Sequence, residues 1–422
     1  MYDFYLKPVK TFIALYLVLC LLLVNCSQFA KKVEKDVVPV ENNDVRKIAV
    51  LKNNSDSKRV NLSSIASNID YCILETNEKC LVSYQMNFFC TKDYIVSIGM
   101  DAPMHEVCYV FDRKTGNFVR QISRMGQGPG EYTEAVSDFW DEKNEQVCLW
   151  SHPDYIFYNL DGTISHKINR NEHPFLPSVV YGDYYVRYIP NTCGNETKRI
   201  VFHDRTGALF DSIPNLRIWE KKLSTIGGGG MSSDAKFYVF RNELYYKDMY
   251  CDTLYHIKNN ILQPRYIFDI CNLTVPYQMH SWSQDDLSAG SIGKNRYENY
   301  VVIESLFEDI KHLYFTFDYR WKRYPAIYEK KECVLKIMPP IAIPPPSRNW
   351  IFPLYGFEND IDGGLPFWPK QMISEKEMMC VYTAEELLEL DVSEVTDIKL
   401  KNVLENLEFD SNPVVAIVTI KN

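Results

Sequence analysis

The sequence predicts an all-β fold, a six-bladed β-propeller with a short C-terminal helical insertion before its closing strand. Three observations carry that expectation: one hairpin turn recurs along the chain, aromatic residues are abundant, and the chain returns to a strand at its end. The turn reads Phe111-Asp112-Arg113-Lys114-Thr115-Gly116, then Tyr158-Asn159-Leu160-Asp161-Gly162, then Phe202-His203-Asp204-Arg205-Thr206-Gly207, and in weaker form Ile257-Lys258-Asn259-Asn260. Gly116, Gly162 and Gly207 are 46 and 45 residues apart, and Asn260 follows 53 later. Asp or Asn near Gly is what a tight hairpin demands, because the backbone there must reach positive φ. A period in the forties holding four short strands is the signature of a propeller blade.

The composition agrees. The 422 residues include 29 Tyr, 22 Phe and 7 Trp, types that favour the half-buried surface of a pleated sheet. With 46% hydrophobic and 24% charged residues the chain is neither disordered, collagenous nor a polytopic membrane protein. A formal charge of −9 offers no basic footprint to neutralise phosphates, so nucleic acid is not an expected partner.

Taken in order, residues 1–25 read as a signal peptide. Lys7 and Lys10 precede an apolar run from Phe12 to Val24, the length of a secretory h-region and too short to span a bilayer comfortably. The run ends Leu23-Val24-Asn25-Cys26, which resembles a bacterial lipobox. The resemblance implies lipid attachment at Cys26 and a membrane partner reached through acyl chains, since more than one chain gives stable attachment; plain secretion is the alternative. Residues 26–58 are polar and charged and are read as a tether, leaving 59–422 for the propeller. The roughly 360 residues from Val60 to Lys421 hold up to eight blades at about 45 residues each, or six with insertions.

Insertions are visible. Residues 272–299 lack strand alternation, and the stretch from about 373 to 409 turns to helical periodicity. There Thr383-Ala384-Glu385-Glu386 is a capping-box start, and Leu400, Val403, Leu404 and Leu407 share one helical face. The strand at Val414 to Ile420 then supplies what ring closure needs, because the last blade of a propeller is completed by both chain ends.

The run Arg124-Met125-Gly126-Gln127-Gly128-Pro129-Gly130-Glu131-Tyr132, with Asp252-Thr253-Leu254-Tyr255-His256-Ile257 and the stretch from Asn359 to Pro369, resembles the six-bladed β-propeller lipoproteins of Bacteroidetes, related to NHL-repeat and TolB-like propellers. That resemblance implies the fold and a cell-envelope setting and says little of chemistry.

Candidate chemistry is sparse. The glycine-rich run lacks the Lys, the Ser or Thr and the following helix of a phosphate loop. It is read as a shaped connection in which Glu131 accepts backbone hydrogen bonds and Tyr132 packs, with Arg124, Gln127, Glu131 and Tyr132 as candidate ligand contacts on the central funnel. Asn359, Asp360 and Asp362 before Gly363 are weak candidates for calcium, the one cofactor considered, without the twelfth-position carboxylate of an EF-hand; an Asx-type turn is the other reading. Phe367 and Trp368 offer a plug or a stacking surface. Gly227 to Gly230 make a flexible loop. No CxxC, HExxH or GxSxG motif is present, and the ten cysteines beyond Cys26 read as small buried hydrophobes. The expected function is a non-enzymatic binding or scaffold module for a glycan, peptide or protein partner. The alternative is a calcium-dependent, lactonase-like hydrolase or lyase with channel carboxylates.

Overall fold

Six antiparallel sheets follow one another around a ring in the computed structural model. It describes residues 45–421 apart from 52–56, 84–85, 103–104, 129, 133–138, 152, 170–177, 220–224, 228–233, 281, 284–296, 344–352 and 394. The proposed signal and Cys26 lie outside the described residues.

Blade 1 comprises Asn87–Cys90, Tyr94–Ala102, His105–Asp112 and Phe118–Gln121, and blade 2 comprises Phe139–Asp141, Gln146–Ser151, Asp154–Asn159 and Ile164–Asn169. Blade 3 comprises Val179–Tyr181, Tyr184–Tyr188, Lys198–His203 and Leu209–Pro214; blade 4 comprises Ala235–Phe240, Glu243–Asp248, Thr253–Lys258 and Ile261–Asp269. In blade 5, Val302–Glu308, His312–Tyr319 and Lys322–Glu329 are followed by a broken fourth strand, Val334–Ile337 and Ile341–Ala342, both paired to the third. Blade 6 takes Gln371–Ser374, Glu377–Tyr382 and Val414–Ile420 from the C-terminal part and Ala66–Ile73 from the N-terminal part. The register Ala66↔Ile420 to Ile73↔Val414 closes the ring. First strands of neighbouring blades approach one another, which places them at the axis and the fourth strands at the rim.

All four recurring turns join the third and fourth strands of blades 1 to 4. Gly116, Gly162 and Gly207 adopt φ of 76°, 88° and 90°, and Asn259 and Asn260 take 50° and 56°. In the first three turns an Asp closes the loop: Asp112 accepts from Thr115 N and Oγ1, Asp161 from Thr163 N and Oγ1, and Asp204 from Thr206 N and Oγ1.

The core is the set of layers between blades. Blades 1 and 2 meet through Val96, Val110, Trp140 and Val147, blades 4 and 5 through Leu254, Phe268, Phe315 and Phe317, and blades 6 and 1 through Met379, Val415, Tyr109 and Phe111. Alternation along each strand sends successive side chains into two neighbouring layers, so most aromatics end between sheets, where burial of large rings dominates packing.

Two boundaries differ from expectation. The tether read as 26–58 contains a strand: Arg46–Ala49 lies parallel to the rim strand of blade 4, Arg46↔Tyr266 to Ala49↔Asp269. Ile48 and Val50 drive this by burying in the blade 4–5 layer, two apolar residues that their charged neighbours disguise. The helical insertion does not begin near 373, because Gln371–Ser374 and Glu377–Tyr382 are blade strands. Met378 and Met379 suit a helix by propensity but are fully buried between sheets, and tertiary packing overrides propensity. The helices are α1 (Ala384–Leu388), capped by a Thr383/Glu386 capping box, and α2 (Ile398–Glu405), capped by Asp397. Both lie between the second and third strands of blade 6.

Candidate functional site

The two ends of the ring are built differently. In an antiparallel meander the first-to-second and third-to-fourth turns share one end, the turn face, and here each spans two to five residues. The other end, the connection face, carries every link between blades, among them residues 215–234, 270–301 and 343–370, together with both helices. Two of these links are themselves joined, Thr225–Gly227 pairing with Trp282–Ser283.

The turn face is laced by ion pairs. Arg113 donates to Thr91 O and to Glu377 of blade 6 at 2.7 Å. Arg205, at the same place in its turn, donates to the buried Asp141 of blade 2 and lies 4.7 Å from the Tyr185 ring centroid. Glu308 takes Arg265, Lys330 and the Tyr238 hydroxyl, and Arg241 of blade 4 meets Glu375 of blade 6. The arginine of the repeated turn thus clasps the preceding blade, a role that spacing alone does not show.

On the connection face, two groups of charges occupy adjoining junctions. Between blades 3 and 4, Asp248 accepts from Arg199 at 2.6 Å, Arg217 at 2.8 Å, the Tyr246 hydroxyl at 2.8 Å and Tyr250 N at 2.9 Å. Burial alone would raise this carboxyl, but Arg217, Arg199 and Lys247 outweigh it and hold it well below the usual carboxylate range. Arg217 also stacks 4.4 Å from the Tyr277 ring centroid, and Asn215 donates to the Tyr277 hydroxyl, so this group ties two long links to the blades.

The second group surrounds the inner part of blade 5: Lys236 and Glu304 meet between blades 4 and 5, while alternation turns Asp318 and Arg323 to the blade 5–6 side. Asp318 is the penultimate residue of the second strand of blade 5 and Arg323 the second residue of the third, directly opposite in register. The two-residue turn between them places Arg320 and Trp321 at positive φ, and Arg323 donates from Nε and Nη2 to the two Asp318 oxygens, both at 2.8 Å. Glu304 stands in the innermost strand where the register shifts between Ile303 and Ser305, a bulge of the kind that re-aims a side chain. Its Oε2 lies 3.8 Å from Lys236 Nζ on the innermost strand of blade 4, with Lys236 27% and Glu304 33% exposed. Burial chiefly, with Arg323 opposing and Glu304 adding, pushes the Asp318 carboxyl up to about 6. A carboxyl shifted toward neutrality near a second carboxylate and beside a cation is an arrangement that binding and catalytic centres share.

The structure distributes the residues singled out from sequence among structural roles. Glu131 accepts from Gly128 N at 2.7 Å and from Arg124 Nε, which hold its carboxyl below the usual range. A Cβ at Gly126 would fall 2.0 Å from Glu131 Oε2, which explains that glycine. Tyr132 and Phe367 are fully buried and Trp368 nearly so; they present no ligand surface because each fills an inter-blade layer, Trp368 stacking on Phe357 at 5.9 Å. Gln127 remains at the surface. Asp360 accepts from Ser63 N and Oγ, Asp362 from Gly364 N, and Asn359 Oδ1 from Ile361 N, so the proposed calcium oxygens close turns and bind residues 59–64 to the ring. Among the described residues no three His, Cys, Asp or Glu side chains group to hold a metal ion. Six cysteines are buried, Cys251 is intermediate, and Cys193, Cys271 and Cys333 are exposed.

The family model described as a domain of unknown function, DUF4934, matches residues 45–419, starting where the rim strand starts. The chain belongs to the DUF4934 family. Among solved structures, this DUF4934 chain is similar to a putative exported protein from Bacteroides fragilis, with 18% identity over 90% of this chain and 99% of that one and a TM-score of 0.61. It also matches a DUF4221 family member from Bacteroides vulgatus, with 13% identity over 87% and 100% of the chains and a TM-score of 0.47. At 18% identity the likeness to the Bacteroides fragilis protein is one of fold alone. No curated protein matches the DUF4934 chain. Among its described residues no helix is long and apolar enough to cross a membrane.

Proposed function

We propose that the chain is an exported, lipid-anchored binding module, attached to the cell envelope through Cys26, that holds a glycan, peptide or protein partner at the connection-face mouth of its ring. One observation carries the reading: the short, ion-paired turns are confined to one face, while the long links, the partly exposed Lys236 and Glu304 and the largely buried Asp318 and Arg323 occupy the other. Binding residues concentrate on loops held by a rigid scaffold. The similarity to a putative exported protein of Bacteroides fragilis supports the address.

Two experiments test this. Acyl label should enter the wild-type chain and fail to enter Cys26→Ala; equal labelling refutes the anchor. The mature protein should retain a partner from panels of glycans and peptides without turning it over. Calcium-dependent cleavage of a bound compound would replace this reading with the hydrolase or lyase alternative.

A further inference from the structure

Resting on that reading, we infer that the Lys236, Glu304, Asp318 and Arg323 group is a subsite for a neutral polyhydroxylated ligand, a sugar ring offering adjacent hydroxyls. The group holds two acids and two bases, so its charges cancel and it exerts no net pull on a polyanion or a polycation. Its two pairs differ in kind. Arg323 and Asp318 are locked together by two 2.8 Å hydrogen bonds, and an ionic ligand that claimed either one would leave the other, largely buried, without its counter-charge, at heavy cost.

Lys236 and Glu304 are 3.8 Å apart, beyond hydrogen-bonding distance, so an ammonium donor and a carboxylate acceptor face the same space with their hydrogen-bonding capacity toward each other unspent. A hydroxyl both accepts and donates; it accepts a hydrogen bond from Lys236 Nζ and donates one to Glu304 Oε2 while leaving both charges in place. The bulge at Glu304 brings a side chain of the innermost strand into this position, and all four residues lie toward the connection-face ends of their strands. Charged side chains arranged as alternating donors and acceptors, held rigidly by sheet, suit vicinal hydroxyls better than a peptide backbone, whose N–H and C=O groups each do only one of these tasks.

The test uses the mature full-length chain in calorimetric titrations against neutral oligosaccharides, sulfated or uronic-acid polysaccharides, and extended peptides. The expected result is binding of a neutral oligosaccharide that weakens about ten- to hundredfold in Glu304→Gln and in Lys236→Met, with both variants unfolding at the wild-type temperature. Peptide or polyanion binding that is lost in these variants overturns the ligand class and leaves the binding function standing. Neutral-sugar binding unchanged in both variants overturns the subsite. Absence of binding in all three classes overturns the binding function and this inference together.

Discussion

Replacing Asp248 by Asn isolates one charge in a deeply buried polar group of the ring. The Asp248 side chain is 0% exposed, and its two arginine partners Arg199 and Arg217 are only 5% and 11% exposed. Asn keeps the shape and one acceptor oxygen but leaves two buried guanidinium groups facing a neutral amide. Removing one partner of a buried ion pair costs about 3–5 kcal/mol, because the remaining charge is stranded away from water. For a ring unfolding as one unit, an unfolding entropy of about 2.1 cal/mol/K per residue over residues 45–419 gives about 0.8 kcal/mol/K, so the expected fall in Tm is about 4–6 °C. The pH dependence has a definite sign. The folded carboxyl is held below its unfolded value of about 3.9, so its contribution is complete above that value and is lost as pH falls through the folded one. Urea unfolding followed by tryptophan fluorescence should show wild type and variant far apart at pH 7 and converging below about pH 4. A difference under about 1 kcal/mol at pH 7, or one unchanged at pH 3, would refute the assignment of this stability to the paired charge.

Three further outcomes follow from the same geometry. Ile48→Ala, which empties a site 1% exposed between blades 4 and 5, should cost about 2–4 kcal/mol and open residues 45–51 to limited proteolysis; an unchanged urea midpoint would show that the rim strand contributes nothing. Arg205→Ala should destabilise by about 1–3 kcal/mol, because Asp141 stays buried without its guanidinium, the figure being lowered by the 28% exposure of Arg205; Arg205→Lys should recover part of the loss, and equal loss in both variants would argue against a charge role. Asp318 carries the opposite sign to Asp248: with its folded carboxyl raised to about 6, the folded state holds this proton more tightly than the unfolded chain, so its contribution declines as pH rises from about 4 to 6. Urea midpoints across that window should lose this component of their slope in Asp318→Asn, and an identical slope in variant and wild type would contradict the assignment.

Much of the architecture was legible because it repeats locally. Asp112, Asp161 and Asp204 announce their turns through a neighbouring Thr and Gly, and closure was readable from the isolated apolar strand at Val414–Ile420. The rim strand was hidden because only Ile48 and Val50 mark it, too short an alternation to stand out from a charged tether. The strand Glu377–Tyr382 was masked by methionines whose propensity points to helix while their burial decides for sheet. The axial group was invisible for another reason. Lys236, Glu304, Asp318 and Arg323 come from four strands of two blades, and the bulge at Glu304 depends on pairing that no local pattern encodes. Only Asp318 and Arg323, facing each other across a two-residue turn, left a readable trace. Tyr132 packs between blades as its connection reading expects, whereas Phe367 and Trp368 misled as a stacking surface because aromatics in a proline-rich segment look exposed.

The pairing of Ala66–Ile73 with Val414–Ile420 bears on how the protein is made. The first strand of the ring has no partner until the last one exists, and Arg46–Ala49 must likewise await Ile261–Asp269. Early in synthesis the N-terminal segment therefore has nothing to dock on, and contacts so distant in sequence form slowly. The ring therefore closes only after its final strand has arrived.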